Sequence, residues 1–117
     1  MELRIIVCGG QYYANKSRVF EELDMLNAFF DLTIINGACP TGADHFANQW
    51  ARERGQNYAQ FFAEWTKRGT YAGFYRNQKM ADEGRADMCL AFAGGKGTAD
   101  MIERAHRASI PVVEIRG

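Results

Sequence analysis

The chain has 117 residues, which is enough for one domain and too few for two. Apolar residues make up 47% of the chain, which is enough for a buried core. The charges of its 14 basic and 14 acidic residues cancel, so no basic field attracts a nucleic acid polymer or an anionic membrane. No apolar run reaches the length of a membrane span, and the first residues do not resemble a secretion signal. We therefore expect a cytoplasmic protein.

The cysteines and histidines do not form a ligand pattern. Cys8, Cys39 and Cys89 are odd in number and include no CxxC pair, and neither His45 nor His106 stands at a zinc-ligand spacing from a cysteine. We expect no disulfide framework, no metal and no bound cofactor.

Apolar runs alternate with helical patterns along the chain. The runs predict strands over residues 3–8, 32–36, 57–62, 87–92 and 110–115. The patterns predict helices over residues 15–29, 41–55, 70–83 and 99–108, the second of them beginning with Thr41 and Asp44 as a capping box. Residues 63–69 and 93–98 are expected to be loops. This alternation predicts a single α/β domain, a Rossmann-like three-layer sandwich of five parallel strands in the order 3-2-1-4-5.

A glycine-rich turn, AGGKGT, lies between the fourth predicted strand and the helix after it. Free backbone N–H groups at the start of that helix are suited to an anion, most naturally a phosphate. Gly94, Gly95 and Gly97 allow a ligand to approach the backbone, and Thr98 adds a hydroxyl donor. The turn matches neither the P-loop nor the dinucleotide fingerprint. The alternative is a tight connection that binds nothing.

Polar or glycine-rich segments follow four of the predicted strands, at residues 9–11, 37–44, 64–77 and 94–98. The carboxyl ends of parallel strands meet at one edge of the sheet, and ligands bind there where the strand order reverses. We expect these segments to form one cleft. The predicted ligand-binding residues are Gly9, Gly10, Gln11, Gly37, Gly42, Asp44, Trp65, Arg76, Asn77, Gly94, Gly95, Lys96, Gly97 and Thr98.

The charged and aromatic residues of this set suit particular parts of a nucleotide. Arg76 and Lys96 supply positive charge for a phosphate, arginine with a two-pronged donor. Asp44 can accept from a ribose hydroxyl or orient Arg76, or it can act only as a helix cap. Trp65 can stack on a base, or it can be a core or interface aromatic.

Five motifs occur here in the order found in one known family: VCGGQYY, NGACPTGADHFA, AEW, AGFYRNQKM and LAFAGGKGTADM. With them the chain resembles the YspA-type branch of the SLOG superfamily, which is distantly similar to the LOG phosphoribohydrolases. The resemblance implies a Rossmann-like fold and a nucleotide-derived ligand. It implies that the glycines of the 94–98 turn and Thr98 hold a phosphate, and that Arg76 and Asn77 face the ligand.

Three positions depart from the family pattern. Gln11 stands where the branch usually has arginine, and Ala93 stands where it usually has proline. Met101 occupies the position at which the LOG hydrolases have a catalytic glutamate, and a thioether cannot do acid–base chemistry. Asp100 is adjacent, but one residue along a helix turns a side chain by about 100°.

These observations favour a binding module that senses or sequesters a nucleotide-derived small molecule. The resemblance also suggests a role in antiviral defence, because other SLOG domains act there as sensors of nucleotide signals. The alternative is a phosphoribohydrolase-like enzyme that cleaves an N-glycosidic bond, with Arg76 on the phosphate or leaving group and Asp44 or Asp100 as the acid or nucleophile. A third possibility is a partner-binding subunit with a vestigial pocket.

We also expect a homodimer or a larger homo-oligomer. Related LOG proteins pair through helices beside the cleft. This chain carries aromatic residues at predicted helix ends, namely Phe29, Phe30, Phe74 and Tyr75.

Overall fold

Five parallel strands form the central sheet of the computed structural model, which describes residues 1–117. The strands are β1 (Glu2–Cys8), β2 (Asp31–Asn36), β3 (Asn57–Gln60), β4 (Met88–Ala91) and β5 (Val112–Glu114). Their order across the sheet is β3-β2-β1-β4-β5, and every neighbouring pair is parallel. The predicted fold class and strand order are therefore confirmed.

Helices cover both faces of the sheet. They are α1 (Lys16–Asn27), α2 (Gly42–Arg54), α3 (Trp65–Arg68), α4 (Ala72–Glu83) and α5 (Lys96–Arg107), with a 3₁₀ turn over Gly69–Tyr71. None of these helices is both long enough and apolar enough to cross a bilayer.

The continuous apolar run of β1 is explained by burial on both faces of the sheet. Ile5 and Val7 pack in one core with residues of α1 and α2, whereas Ile6 and Cys8 pack in another with residues of α4 and α5. Successive side chains of a strand point to opposite faces, so both sets must be apolar. Trp50 of α2 is fully buried in the first core, and its indole Nε1 donates to Asp24 at 2.8 Å.

The segment before α4 and the start of α5 differ from the predicted assignment. The segment predicted as a loop before residue 70 contains the short helix α3 and part of the 3₁₀ turn, and α4 begins only at Ala72. The helix α5 begins at Lys96 rather than at residue 99, so Gly97 and Thr98 lie in its first turn. Glycine lowers helix propensity without preventing a helix, and here the packing of α5 outweighs that preference.

The predicted capping box at the start of α2 is wrong. Thr41 precedes the helix, but its side chain caps no amide of α2; its hydroxyl donates to the Gln11 carbonyl at 2.8 Å. The carboxylate of Asp44 accepts from the Cys39 N–H at 3.1 Å. The reason lies at Gly42, which has a φ of 74° and whose missing Cβ would overlap the Gly10 carbonyl. The first turn of α2 is pressed against the loop after β1, and its polar side chains bond to that loop and to residue 39.

Candidate functional site

A cavity of about 780 Å³ opens at the carboxyl edge of the sheet. It lies where β1 and β4 end side by side, and the order of the strands reverses at this point because β2 lies on the other side of β1. Sheets of this kind bind ligands at such a position. The cavity is therefore the candidate site.

Most of the predicted ligand-binding residues line this cavity. They are Gly9, Gly10, Gln11, Gly37, Asp44, Arg76, Asn77, Gly94, Gly95, Lys96, Gly97 and Thr98. The cavity wall also includes residues that sequence reasoning did not assign to the site, among them Cys8, Cys39 and Met80. Cys8 is the last residue of β1, so its place at the carboxyl edge was the available signal. The predicted residues Gly42, Trp65 and Asp100 do not line the cavity.

The backbone amides of residues 94–98 donate to no acceptor in the chain. The next amide along the chain, that of Ala99, donates to the Gly95 carbonyl at 3.1 Å. Gly95 precedes α5 and provides no side-chain cap. These consecutive N–H groups and the positive end of the helix dipole give the cavity wall a preference for an anion.

The glycines of this turn fall into two kinds. At Gly94 a Cβ would overlap the Thr98 hydroxyl and would lie 2.6 Å from the Gly10 nitrogen, so the turn and the loop after β1 require its absence. At Gly95 and Gly97 no atom lies within 4 Å of the Cβ position, and neither residue has a positive φ. Neither internal packing nor backbone conformation requires glycine there. Both positions leave the backbone open to a molecule from outside.

Arg76 also lines the cavity, and its guanidinium is held by two hydrogen bonds. Nη1 donates to the Gly37 carbonyl at 2.7 Å, and Nε donates to Oδ1 of Asn77 at 2.9 Å. Nη2 makes no hydrogen bond within the chain. A guanidinium carries five N–H hydrogens, so Arg76 keeps donors for a ligand.

Asn77 is buried and connects Arg76 with the first turn of α5. Its amide Nδ2 donates to the Gly97 carbonyl at 3.2 Å and to Oδ2 of Asp100 at 3.0 Å. Asp100 also accepts from Nε of Arg104 at 2.8 Å. Asp100 is thus engaged between α4 and α5, outside the cavity.

Asp44 is the one acidic residue of the cavity wall, and only 7% of it is exposed. Burial raises the pKa of its carboxyl from 3.8 to about 6. The Cys39 amide, the charge of Arg76 and the Gly37 amide hold that pKa below the value that burial alone would give. Asp44 therefore exchanges a proton near neutral pH, as groups at functional sites often do.

Cys8 lines the cavity beside a second thiol. Its sulfur lies 3.8 Å from that of Cys89, and both residues are buried. The hydrogen bond between the two thiols, followed by burial, raises the pKa of Cys8 well above its usual value. Cys8 is therefore a neutral thiol at physiological pH, and it contributes no anionic charge to the wall.

Trp65 lies near Arg76 but outside the cavity wall, with 59% of its surface exposed. Its Cη2 is 3.5 Å from the point where a Cβ of Gly73 would be, and Nη2 of Arg76 is 3.6 Å from the same point. Trp65 is therefore not a core residue. No group of three or more histidine, cysteine or acidic side chains is arranged to hold a metal ion.

The chain belongs to the YspA, cpYpsA-related SLOG family, whose model matches residues 3–67. The matched part contains the loop after β1, the 37–44 segment and Trp65. Membership of this family indicates a nucleotide-related ligand or a related activity. No curated protein sequence matches the chain.

The solved structures that are similar to this chain include the following two. The C-terminal domain of a hydrogenase from Pyrococcus furiosus aligns over 97% of this chain and 91% of its own, with a TM-score of 0.58 and 9% sequence identity. A predicted subunit of a tRNA methyltransferase from Methanocaldococcus jannaschii aligns over 96% of this chain and 67% of its own, with a TM-score of 0.45 and 12% identity. The first of these likenesses supports the α/β fold; at this identity it says nothing about function.

Proposed function

We propose that this protein binds a phosphate-containing, nucleotide-derived small molecule in the cavity at the carboxyl edge of the sheet, as a sensing or sequestering module. The observation that carries the proposal is the run of unpartnered amides at residues 94–98. Gly95 and Gly97 support it, because they leave that backbone open where nothing inside the chain requires glycine. A phosphate fits this wall because each of its oxygens accepts hydrogen bonds from N–H groups.

The charges of the cavity wall also favour an anion. Arg76 and Lys96 are its basic residues, and Asp44 is its only acidic one. Since burial raises the pKa of Asp44 to about 6, part of its negative charge is lost in mildly acidic solution. The 780 Å³ of the cavity lies within the usual range for sites that take small organic molecules.

Thermal unfolding in the presence of candidate ligands tests the proposal. We expect the melting temperature to rise with a nucleoside monophosphate such as AMP and to rise less with inorganic phosphate, because a ligand that binds only the folded state stabilises it. An Arg76→Ala variant is expected to lose most of the rise. If the panel of nucleoside phosphates leaves the melting temperature unchanged, the proposal is wrong and a partner-binding role gains support.

A pair of lysine variants separates local charge from net charge. Lys96 lines the cavity, whereas Lys79 is exposed on α4 and does not. Both variants, Lys96→Ala and Lys79→Ala, lower the net charge by one. We expect the first to weaken binding several-fold and the second to leave it unchanged, because Lys79 is exposed to solvent, which screens its charge, and it contributes no donor to the cavity wall.

A second candidate function is hydrolysis of an N-glycosidic bond in a nucleoside phosphate. The observation that favours it is Asp44, a buried carboxyl in the cavity with a pKa of about 6. Met101 lines the same cavity and offers no acid–base group, and Asp100 is engaged with Asn77 and Arg104. Asp44 is thus the residue that such a reaction would depend on.

Chromatography of AMP and other nucleoside monophosphates after incubation with the protein decides between the two functions. Hydrolysis would replace the base by water at the anomeric carbon, so free base and ribose phosphate would accumulate together. In that case Asp44→Asn should abolish the release, because an amide cannot exchange a proton at neutral pH. If ligands raise the melting temperature and no base is released, the binding function stands alone.

A further inference from the structure

A second cavity of about 490 Å³ lies on the other side of the turn that follows β4. It runs between α5 and the carboxyl end of β5. Phe92, Ile102 and Ile115 give it an apolar floor. Glu114 and Arg116 stand at its rim, and their side chains make no ion pair or hydrogen bond within the chain. A base or a sugar has a matching character, with an apolar face and polar edges.

The two cavities meet at the start of α5. Gly94, Gly95 and Thr98 line both of them. Only 8% of Thr98 is exposed, yet its hydroxyl has no hydrogen-bond partner in the chain. The hydroxyl lies directly beside the α-carbon of Gly94, so a Cβ on residue 94 would overlap it. This hydroxyl is open to solvent and lies between the two cavities, so an anion reachable from both sides can accept its hydrogen bond.

We propose that the ligand is a diester, in which a phosphate or diphosphate carries a nucleoside or sugar on each side and one such group occupies each cavity. The proposal rests on the proposed function, because it places the anionic group at the amides of residues 94–98. A monoester would fill the larger cavity and leave the apolar floor of the smaller one in contact with water. Covering that floor adds a hydrophobic contribution to binding that a monoester cannot obtain.

Isothermal titration with three adenine nucleotides tests the inference. The ligands are AMP, ADP and P1,P2-di(adenosine-5′) diphosphate, the last of which keeps the diphosphate of ADP and adds a second adenosine. We expect the diester to bind at least tenfold more tightly than ADP, although it carries less negative charge. Equal or weaker binding of the diester, with AMP still bound, overturns the inference and leaves the proposed function intact.

A bulky substitution in the second cavity locates the additional contact. Ala99 is exposed and lines the second cavity but not the first. Ala99→Trp is expected to remove the advantage of the diester and to leave the affinity for AMP unchanged. His106→Trp is the control, because His106 is exposed on the same helix and lines neither cavity.

A second variant keeps the test valid if Ala99→Trp does not fold. Arg116→Ala removes a side chain of the rim that has no internal partner, and we expect it to weaken only the diester, by about threefold. The inference is overturned if the diester binds Ala99→Trp as tightly as it binds the wild type. If Ala99→Trp does not fold, the same result with Arg116→Ala overturns it. If neither AMP, ADP nor the diester binds the wild-type protein, the proposed function itself is wrong.

Discussion

Arg76 lies directly over Gly37. Its Nη1 atom donates to the Gly37 carbonyl at 2.7 Å, and three atoms of the guanidinium group lie 2.5 to 2.8 Å from the point where a Cβ of residue 37 would be. The glycine after β2 therefore fixes the position of a cation contributed by α4. This contact joins two of the segments at the carboxyl edge of the sheet, and it has a consequence for binding.

Replacing Gly37 by alanine should weaken ligand binding about as much as removing the arginine. The new Cβ would displace the guanidinium and break its bond to the carbonyl, and losing a hydrogen bond from a charged group costs about 1.5 to 3 kcal/mol, or roughly tenfold or more in affinity. Titration of Gly37→Ala and Arg76→Ala with AMP measures both effects. We expect little loss of stability, because the end of a long side chain can move aside.

Gly73→Ala is the matched control for this prediction. A Cβ at residue 73 meets its nearest neighbours at 3.5 and 3.6 Å, which is ordinary contact, and the residue lies within α4. The variant should keep its affinity and gain up to about 1 kcal/mol in the free energy of unfolding. If Gly37→Ala binds as well as Gly73→Ala does, the contact with Arg76 does not position the cation.

Two glycines of the same turn should respond to alanine in opposite ways. Gly97→Ala should raise the free energy of unfolding by about 0.5 to 1 kcal/mol, because alanine favours a helix and the site is open. It should nevertheless weaken binding, since the new methyl group would meet the ligand. Gly94→Ala should lower stability by about 1 to 3 kcal/mol, because its Cβ would overlap Thr98. Urea unfolding and titration with AMP, done on both variants, separate these effects.

A Gly97→Ala variant that gains stability and keeps full affinity would show that no ligand approaches this backbone. Neither packing nor ligand binding would then explain why residue 97 is a glycine.

Asp44 should make the protein less stable as the pH rises from about 4 to about 6. Its carboxyl has a pKa of 3.8 when exposed and about 6 in the folded protein, so the folded state holds more protons between these values. The free energy of unfolding then falls as the pH rises through this interval, by up to about 3 kcal/mol, and the contribution is constant below and above it. Asp44→Asn removes the titration.

The difference in unfolding free energy between Asp44→Asn and wild type isolates this effect from other carboxyl groups. Asp24, for example, acts in the opposite direction, because hydrogen bonds from Arg54 lower its pKa. Measured by urea unfolding, the unfolding free energy of the variant minus that of wild type should be larger at pH 7 than at pH 4. An equal difference at the two pH values would contradict the raised pKa.

The protein should form a homodimer or a larger assembly. Aromatic residues are exposed in the segment after β3 and in the first turn of α4, namely Phe62, Trp65, Tyr71 and Tyr75. Covering such a surface between two copies removes apolar area from water. Light scattering at micromolar concentration should give at least twice the 13.2 kDa of one chain. A mass of one chain at this concentration would contradict the prediction.

The strand order could be predicted because it depends on patterns that a sequence displays directly. The run from Ile5 to Cys8 is apolar at every position, which indicates a strand covered on both faces, and the spacing of strands and helices then determines the crossovers. The position of the cavity followed from the same pattern, since loops at the carboxyl edge of a parallel sheet converge.

The roles of individual side chains could not be predicted in this way. Asp44 fits a helix cap by its spacing, but the close approach of Gly42 to the loop after β1 turns its carboxylate toward the Cys39 amide instead. The sequence predicts that Asn77 faces the ligand, but its hydrogen bonds with Gly97 and Asp100 depend on how α4 and α5 pack. The contacts of Gly42 with Gly10 and of Asn77 with Gly97 and Asp100 join residues far apart in the chain, so local spacing does not reveal them.

Amide NMR of the isotope-labelled protein during titration with AMP tests the central claim most directly. We predict that the largest shifts fall on the N–H groups of residues 94–98, because these groups have no acceptor in the chain and would gain one from the phosphate. Shifts of the same residues with inorganic phosphate, though smaller, would assign the effect to the anionic group. Binding of AMP that leaves the amides of residues 94–98 unshifted would contradict the claim.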